Sequence, residues 1–103
     1  VTQKDDVPSG FEAIARAIAG FEETFHKARP LKDDFPKAYE DMLQAVFMIA
    51  VLTGRVVPPA QKGMTAFRAE LLSTIRIILQ TNPRIEPQAA AEELGKRVPG
   101  GTR

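Results

Sequence analysis

The sequence predicts an all-α fold: three helices in an up-down-up bundle, followed by a short fourth. Along three long segments the apolar residues recur at spacings of three and four, which places them on one face of a helix. Pro30, the Pro58-Pro59 pair and Pro83 stand between those segments and break the chain where helices would end. No stretch alternates apolar and polar residues as a half-buried strand does, and Arg55-Val56-Val57 is too short to count as one.

Residues 1–8 are polar and acidic and read as a flexible lead without the apolar core of a secretion signal. Ser9 followed by Glu12 forms a capping box, so a single helical domain over 9–98 is expected to open with a helix at about 9–28. Phe11, Ile14, Ile18, Phe21 and Phe25 form one narrow seam on it, expected to cover the next helix. Glu12 with Arg16, and Glu23 with Lys27, mark its solvent side. His26, Lys27 and Arg29 suit its negative end, and Pro30 stops it.

Asp33 and Asp34 are expected to cap a second helix over about 35–53, with Pro36 in its first turn. Phe35, Tyr39, Met42 and Leu43 would face inward, and Lys37, Glu40, Asp41 and Gln44 would face water. Residues 45–52 are apolar without interruption, and Gly54 can take the left-handed conformation that ends a helix. Val56-Val57-Pro58-Pro59 is a stiff reversal before a third helix over about 60–81. Its inward set is Met64, Phe67, Leu71, Leu72, Ile75, Ile78 and Leu79, with Ile77 off the stripe. Pro87 opens a fourth helix over about 87–97, rich in Ala with Leu94 as its one large apolar residue, expected to dock weakly or serve as a mobile tag. Residues 99–103 read as a disordered tail.

Composition narrows the function classes. With 103 residues, 44% of them hydrophobic and 26% charged, the chain can build one core without a metal or disulfide staple. A net charge of +1 gives no general pull toward nucleic acid or an anionic membrane, and the longest apolar run falls far short of the ~20 residues that span a bilayer. Cysteine is absent, which removes thiol catalysis and cysteine-ligated metals. A cytoplasmic setting is expected, and the Ala- and Arg-rich usage suits a GC-rich bacterium or its phage.

No enzymatic chemistry is expected, and no catalytic residue, metal or cofactor is assigned. Glu23-Thr24-Phe25-His26 has the spacing of a di-iron carboxylate motif, yet His26 is the single histidine, so an oxidase would need symmetric copies of the pair. The plainer reading of His26 is a partly exposed partner of the helix end. Acidic doublets such as Asp33-Asp34 and Glu92-Glu93 point in different directions on a helix, so they are caps or solvated faces and not acid–base dyads. No phosphate-binding glycine loop is present, and Ser9 and Ser73 have no triad partners.

Two interaction readings remain. Residues 60–84 hold Lys62, Arg68, Arg76 and Arg84 against Glu70 alone, a local charge of +3, which could track phosphates. Residues 33–54 hold Lys37 against Asp33, Asp34, Glu40 and Asp41, a local charge of −3, so an antiparallel hairpin would let the two sets pair instead, and that reading is preferred. The apolar run raises a separate demand, because a helix with no polar face must be covered all round. Phe47, Met48, Val51, Val56, Val57 and Ile77 are therefore the expected surface for self-association or for a partner. The function expected is a non-enzymatic interaction or assembly module that forms a homo-oligomer and docks a larger protein. The alternative is a small DNA- or RNA-associated accessory protein of a plasmid or phage, for example a packaging adaptor.

Overall fold

Local chemistry sets the ends of each helix. The structure is a computed structural model that describes residues 10–59 and 63–98. Among these residues the chain is all-α, with α1 (Gly10–Ala28), α2 (Pro36–Leu52), α3 (Met64–Thr81) and α4 (Pro87–Arg97), and no strand. The lead at 1–8, the cap residue Ser9, Lys62 and the tail at 99–103 lie outside the described residues.

α1 gives way at Pro30 to a 3-10 turn, Arg29–Leu31. Asp33 and Asp34 do not cap α2; that position belongs to Phe35, whose extended backbone (φ −131°, ψ 107°) follows from the proline after it. The aspartates sit in the preceding turn, where the amides of Asp34 and Phe35 both donate to the Leu31 carbonyl, at 3.0 and 2.9 Å.

The end of α2 shows why Gly54 stands where it does. Its φ of +75° lets the amide of Arg55 reach the Ala50 carbonyl (2.9 Å) and its own amide reach Val51 (3.1 Å), the paired bonds of a Schellman ending. The Thr53 hydroxyl adds a bond to the Ile49 carbonyl at 2.7 Å. α3 begins at Met64 and not near residue 60, because Gly63 at φ +87° is left-handed and cannot continue a helix on its N-terminal side.

α2 is the hub. It packs against α1, α3 and α4, whereas the backbones of α1 and α3 do not closely approach each other. Its Met42, Leu43, Val46 and Ile49 are enclosed with Phe25 of α1, Leu71, Ile75 and Ile78 of α3, and Leu94 of α4. Each such side chain contributes roughly 1.5–3 kcal/mol when removed from water.

α4 is not a loosely docked tag. Pro87, Ala90, Ala91, Leu94 and Gly95 are all buried, and a Cβ placed on Gly95 would lie 2.9 Å from the carbonyl oxygen of Arg55. Small residues make α4 effective: with almost no side chain between the backbones it closes on α2 directly, and the lack of large apolar groups that made it look weak is what permits that approach. Its N-terminal end is clasped to α1 by polar contacts. Glu86 meets His26 (3.2 Å) and Arg29 (3.4 Å), Arg29 also donates to the Ile85 carbonyl, and the Gln88 amide donates to Glu22 at 2.9 Å.

Candidate interaction surface

Which apolar residues the fold leaves uncovered follows from the register of the helices. Thr24, Lys27 and Ala28 of α1 line one groove with Ala38 and Asp41 of α2, so residue numbers fall along α1 as they rise along α2. Continuing at one rise per residue brings Ile18 level with Met48 and Ile14 level with Leu52, and carries Phe11 beyond the end of α2. On the other side Phe47 meets Phe67 edge-on at 6.2 Å, Gln44 accepts a bond from Arg68, and Arg76 lies over Tyr39. The same step brings Met64 level with the last turn of α2.

One end of the molecule therefore carries an apolar surface. Phe11 is 86% exposed, and Ile14 and Met64 are exposed as well. Between them Met48, Val51 and Leu52 are only half-buried, whereas Ala45, Val46, Ile49 and Ala50 on the other faces of α2 are enclosed. The open stripe of α2 is polar at its start, with Lys37, Glu40 and Gln44, and becomes apolar from Met48 onward.

The residues expected to form an interface divide accordingly. Phe47 is 5% exposed and Val56 is 1% exposed, so the chain's own helices enclose them and they offer no surface. Phe47 packs on Phe67, and Val56 follows the Schellman turn inward, its amide bonded to the Ala50 carbonyl at 3.3 Å. Met48 and Val51 belong to the open stripe. Val57 (69%) and Ile77 (53%) are exposed, Ile77 on the outer side of α3. Phe11 and Ile14, placed on a covering seam by their spacing, and Phe35, placed inward, are exposed instead. α2 ends before the seam of α1 does, and the extended backbone at Phe35 turns its side chain off the helix face. Phe35 and Leu31 line that same groove between α1 and α2, of about 360 Å³, together with Lys27 and Lys37.

No family model, curated protein or solved structure matches this chain.

Charged residues are mostly committed elsewhere. The exposed side chain of Arg68 is bonded to Gln44, and the Arg76 guanidinium stacks on Tyr39 at 5.2 Å, so these cations do face α2, but through an amide and a ring and not through Asp33, Glu40 or Asp41. Lys37 takes Asp41 for itself at 3.1 Å. Arg84 is exposed in the loop after α3. Glu23 pairs with Lys27 at 3.3 Å while His26 turns to Glu86, so the two do not converge on a shared ligand position. Among the described residues no group of three or more acidic, histidine or cysteine side chains is placed to hold a metal ion, and no helix is long and apolar enough to cross a membrane.

Proposed function

We propose that this chain is a non-enzymatic helical assembly module, an up-down-up path with α4 inserted against α2, that self-associates and docks a larger protein partner. The observation that carries this reading is the apolar end formed by Phe11, Ile14, Met48, Val51 and Met64. A projecting, almost fully exposed Phe in register with a half-open stripe gains nothing for the isolated chain; it gains when another surface excludes water from it. Association here is helix-in-groove packing, with apolar side chains spaced three and four residues apart as anchors. The groove beside Leu31 and Phe35 lies away from that end and is available to the second partner. The nucleic-acid reading has less support, because Arg68 and Arg76 are engaged by α2.

Light scattering over a range of concentrations tests the reading. A mass above that of one chain, stable to salt because the contact is apolar, is the expected result. A single-chain mass at every concentration would remove the self-association half of the proposal.

A further inference from the structure

The three long helices do not stop together at the apolar end. α1 and α3 flank α2 on opposite sides: Ala38 and Asp41 face α1 while Tyr39 and Phe47 face α3, about half a turn away around the helix. α4 packs on all three. On one side the first turn of α1 runs past the end of α2 and carries Phe11 with it; on the other, α3 begins at Met64, no further out than the last turn of α2. One edge of this end is therefore long and the other short.

We propose that this stepped end mates with the same end of a second copy, about a two-fold axis that crosses the end of α2 perpendicular to the layer of α1, α2 and α3. The inference rests on the self-association reading above and names how its surface meets a second copy. Such an axis sets the long edge of each copy against the short edge of the other, so the step fills itself. Phe11 of each copy then lies against Met64 of the other, with Val51, Leu52 and Val57 nearer the axis. Ile18, Phe21 and Phe25 keep their place on the core of their own copy, because only the part of α1 at and beyond the end of α2 enters the contact.

The area available matches what a dimer needs. Phe11 exposes about 130–210 Å². Fully burying an aliphatic side chain removes about 60–120 Å² from water, so the exposed parts of Ile14, Val57 and Met64 and the open edges of Met48, Val51 and Leu52 bring the apolar area to roughly 400 Å². Interfaces are about 57% apolar, which makes this the apolar share of roughly 700 Å² per copy. A standard interface uses about 800 Å² per partner. Charge does not oppose the contact: Glu12 pairs with Arg16 at 3.4 Å and Arg55 with Glu92 at 3.9 Å, each within one copy, so these groups bring no uncompensated charge to a meeting of like ends. The joint leaves the two Leu31–Phe35 grooves at opposite poles of the dimer, roughly 50 Å apart, each open to the larger partner.

The test reads mass, pairing and distance. Phe11 and Met64 are exposed in the single chain, so Phe11→Glu and Met64→Lys should leave the circular dichroism of the monomer unchanged. Each should raise the dimer dissociation constant at least about a hundredfold. Mixed together, the two variants should form a heterodimer at least about tenfold tighter than either homodimer, because one of its two contacts is native and the other sets a carboxylate against an ammonium. Because the chain has no cysteine, Thr81→Cys gives a unique spin-label site at the far end of α3. In the dimer the two labels should stand more than about 50 Å apart in a dipolar electron-resonance measurement. A dimer that survives both substitutions, shows no preference for the mixed pair, or holds the labels closer than that would overturn this joint while leaving self-association standing on another surface. A parent chain that dimerises only once residues 1–8 are removed would assign the apolar end to the chain's own lead and overturn the joint as well. A parent chain that stays monomeric in every form would overturn both the joint and the self-association reading.

Discussion

Gly95→Ala is the sharpest probe of the packing. The added methyl would sit 2.9 Å from the Arg55 carbonyl oxygen and 3.2 Å from the Arg55 Cβ. Both belong to the rigid turn that follows α2, held by the bonds of Arg55 and Gly54 to Ala50 and Val51, so the neighbour cannot yield by rotating a side chain. α4 must move outward instead, loosening Ala90, Ala91 and Leu94 against the core. Overpacking of this kind costs about 1–3 kcal/mol. Replacing a helical glycine with alanine returns up to about 1 kcal/mol of helix propensity, leaving a net loss of up to about 2 kcal/mol. For a domain of this size that lowers the melting temperature by up to about 16 °C. Gly20→Ala supplies the control, since its Cβ would meet nothing within 4 Å on exposed α1, and it should raise stability by roughly 0.5–1 kcal/mol. Thermal melts of both variants at one dilute concentration decide the matter. A Gly95→Ala protein stabilised as much as Gly20→Ala would show that α4 does not rest on the Arg55 turn.

Other outcomes follow from the same structure. Phe47→Asp places a carboxylate between α2 and α3 with no partner, and the loss of at least about 4 kcal/mol should appear as unfolded or insoluble protein in circular dichroism. Soluble, helical Phe47→Asp protein would mean that the centre of the core lies elsewhere. Arg68→Ala and Arg76→Ala each remove a surface contact and should cost less than about 1 kcal/mol in urea unfolding. In gel shifts at low salt the parent chain should leave a short DNA duplex unretarded; retardation that disappears when Arg68, Arg76 and Arg84 are replaced together would favour the nucleic-acid reading.

Much of the architecture is legible in the spacing of residues. The three-and-four periodicity and the positions of Pro30, Gly54 and Pro83 mark an all-α chain, because helix periodicity and backbone breakers act locally. Gly63 misleads for the opposite reason: a glycine inside a helical pattern is tolerated, and only its left-handed φ shows that the helix starts after it. Phe35 carries a helix-compatible spacing that the proline after it overrides. The surface at the end of α1 was half visible. Its seam was evident as a periodic run, but periodicity gives the face of a helix and not the length of what it packs against.

By itself the sequence determined the class of fold, the four helical segments and the presence of a helix that water could not surround. Tertiary structure decided how that helix is enclosed. α4 packs on α2 through the small buried residues Ala90 and Ala91, and Gly95 lets it close on the Arg55 turn that follows α2, contacts made by the absence of side chains that no measure of hydrophobicity registers. α1 outruns α2, so Phe11 reaches past the core it would otherwise join and Ile14 lies at its edge. Exposure depends on where a neighbouring helix stops, a non-local fact fixed only once the helices are set side by side.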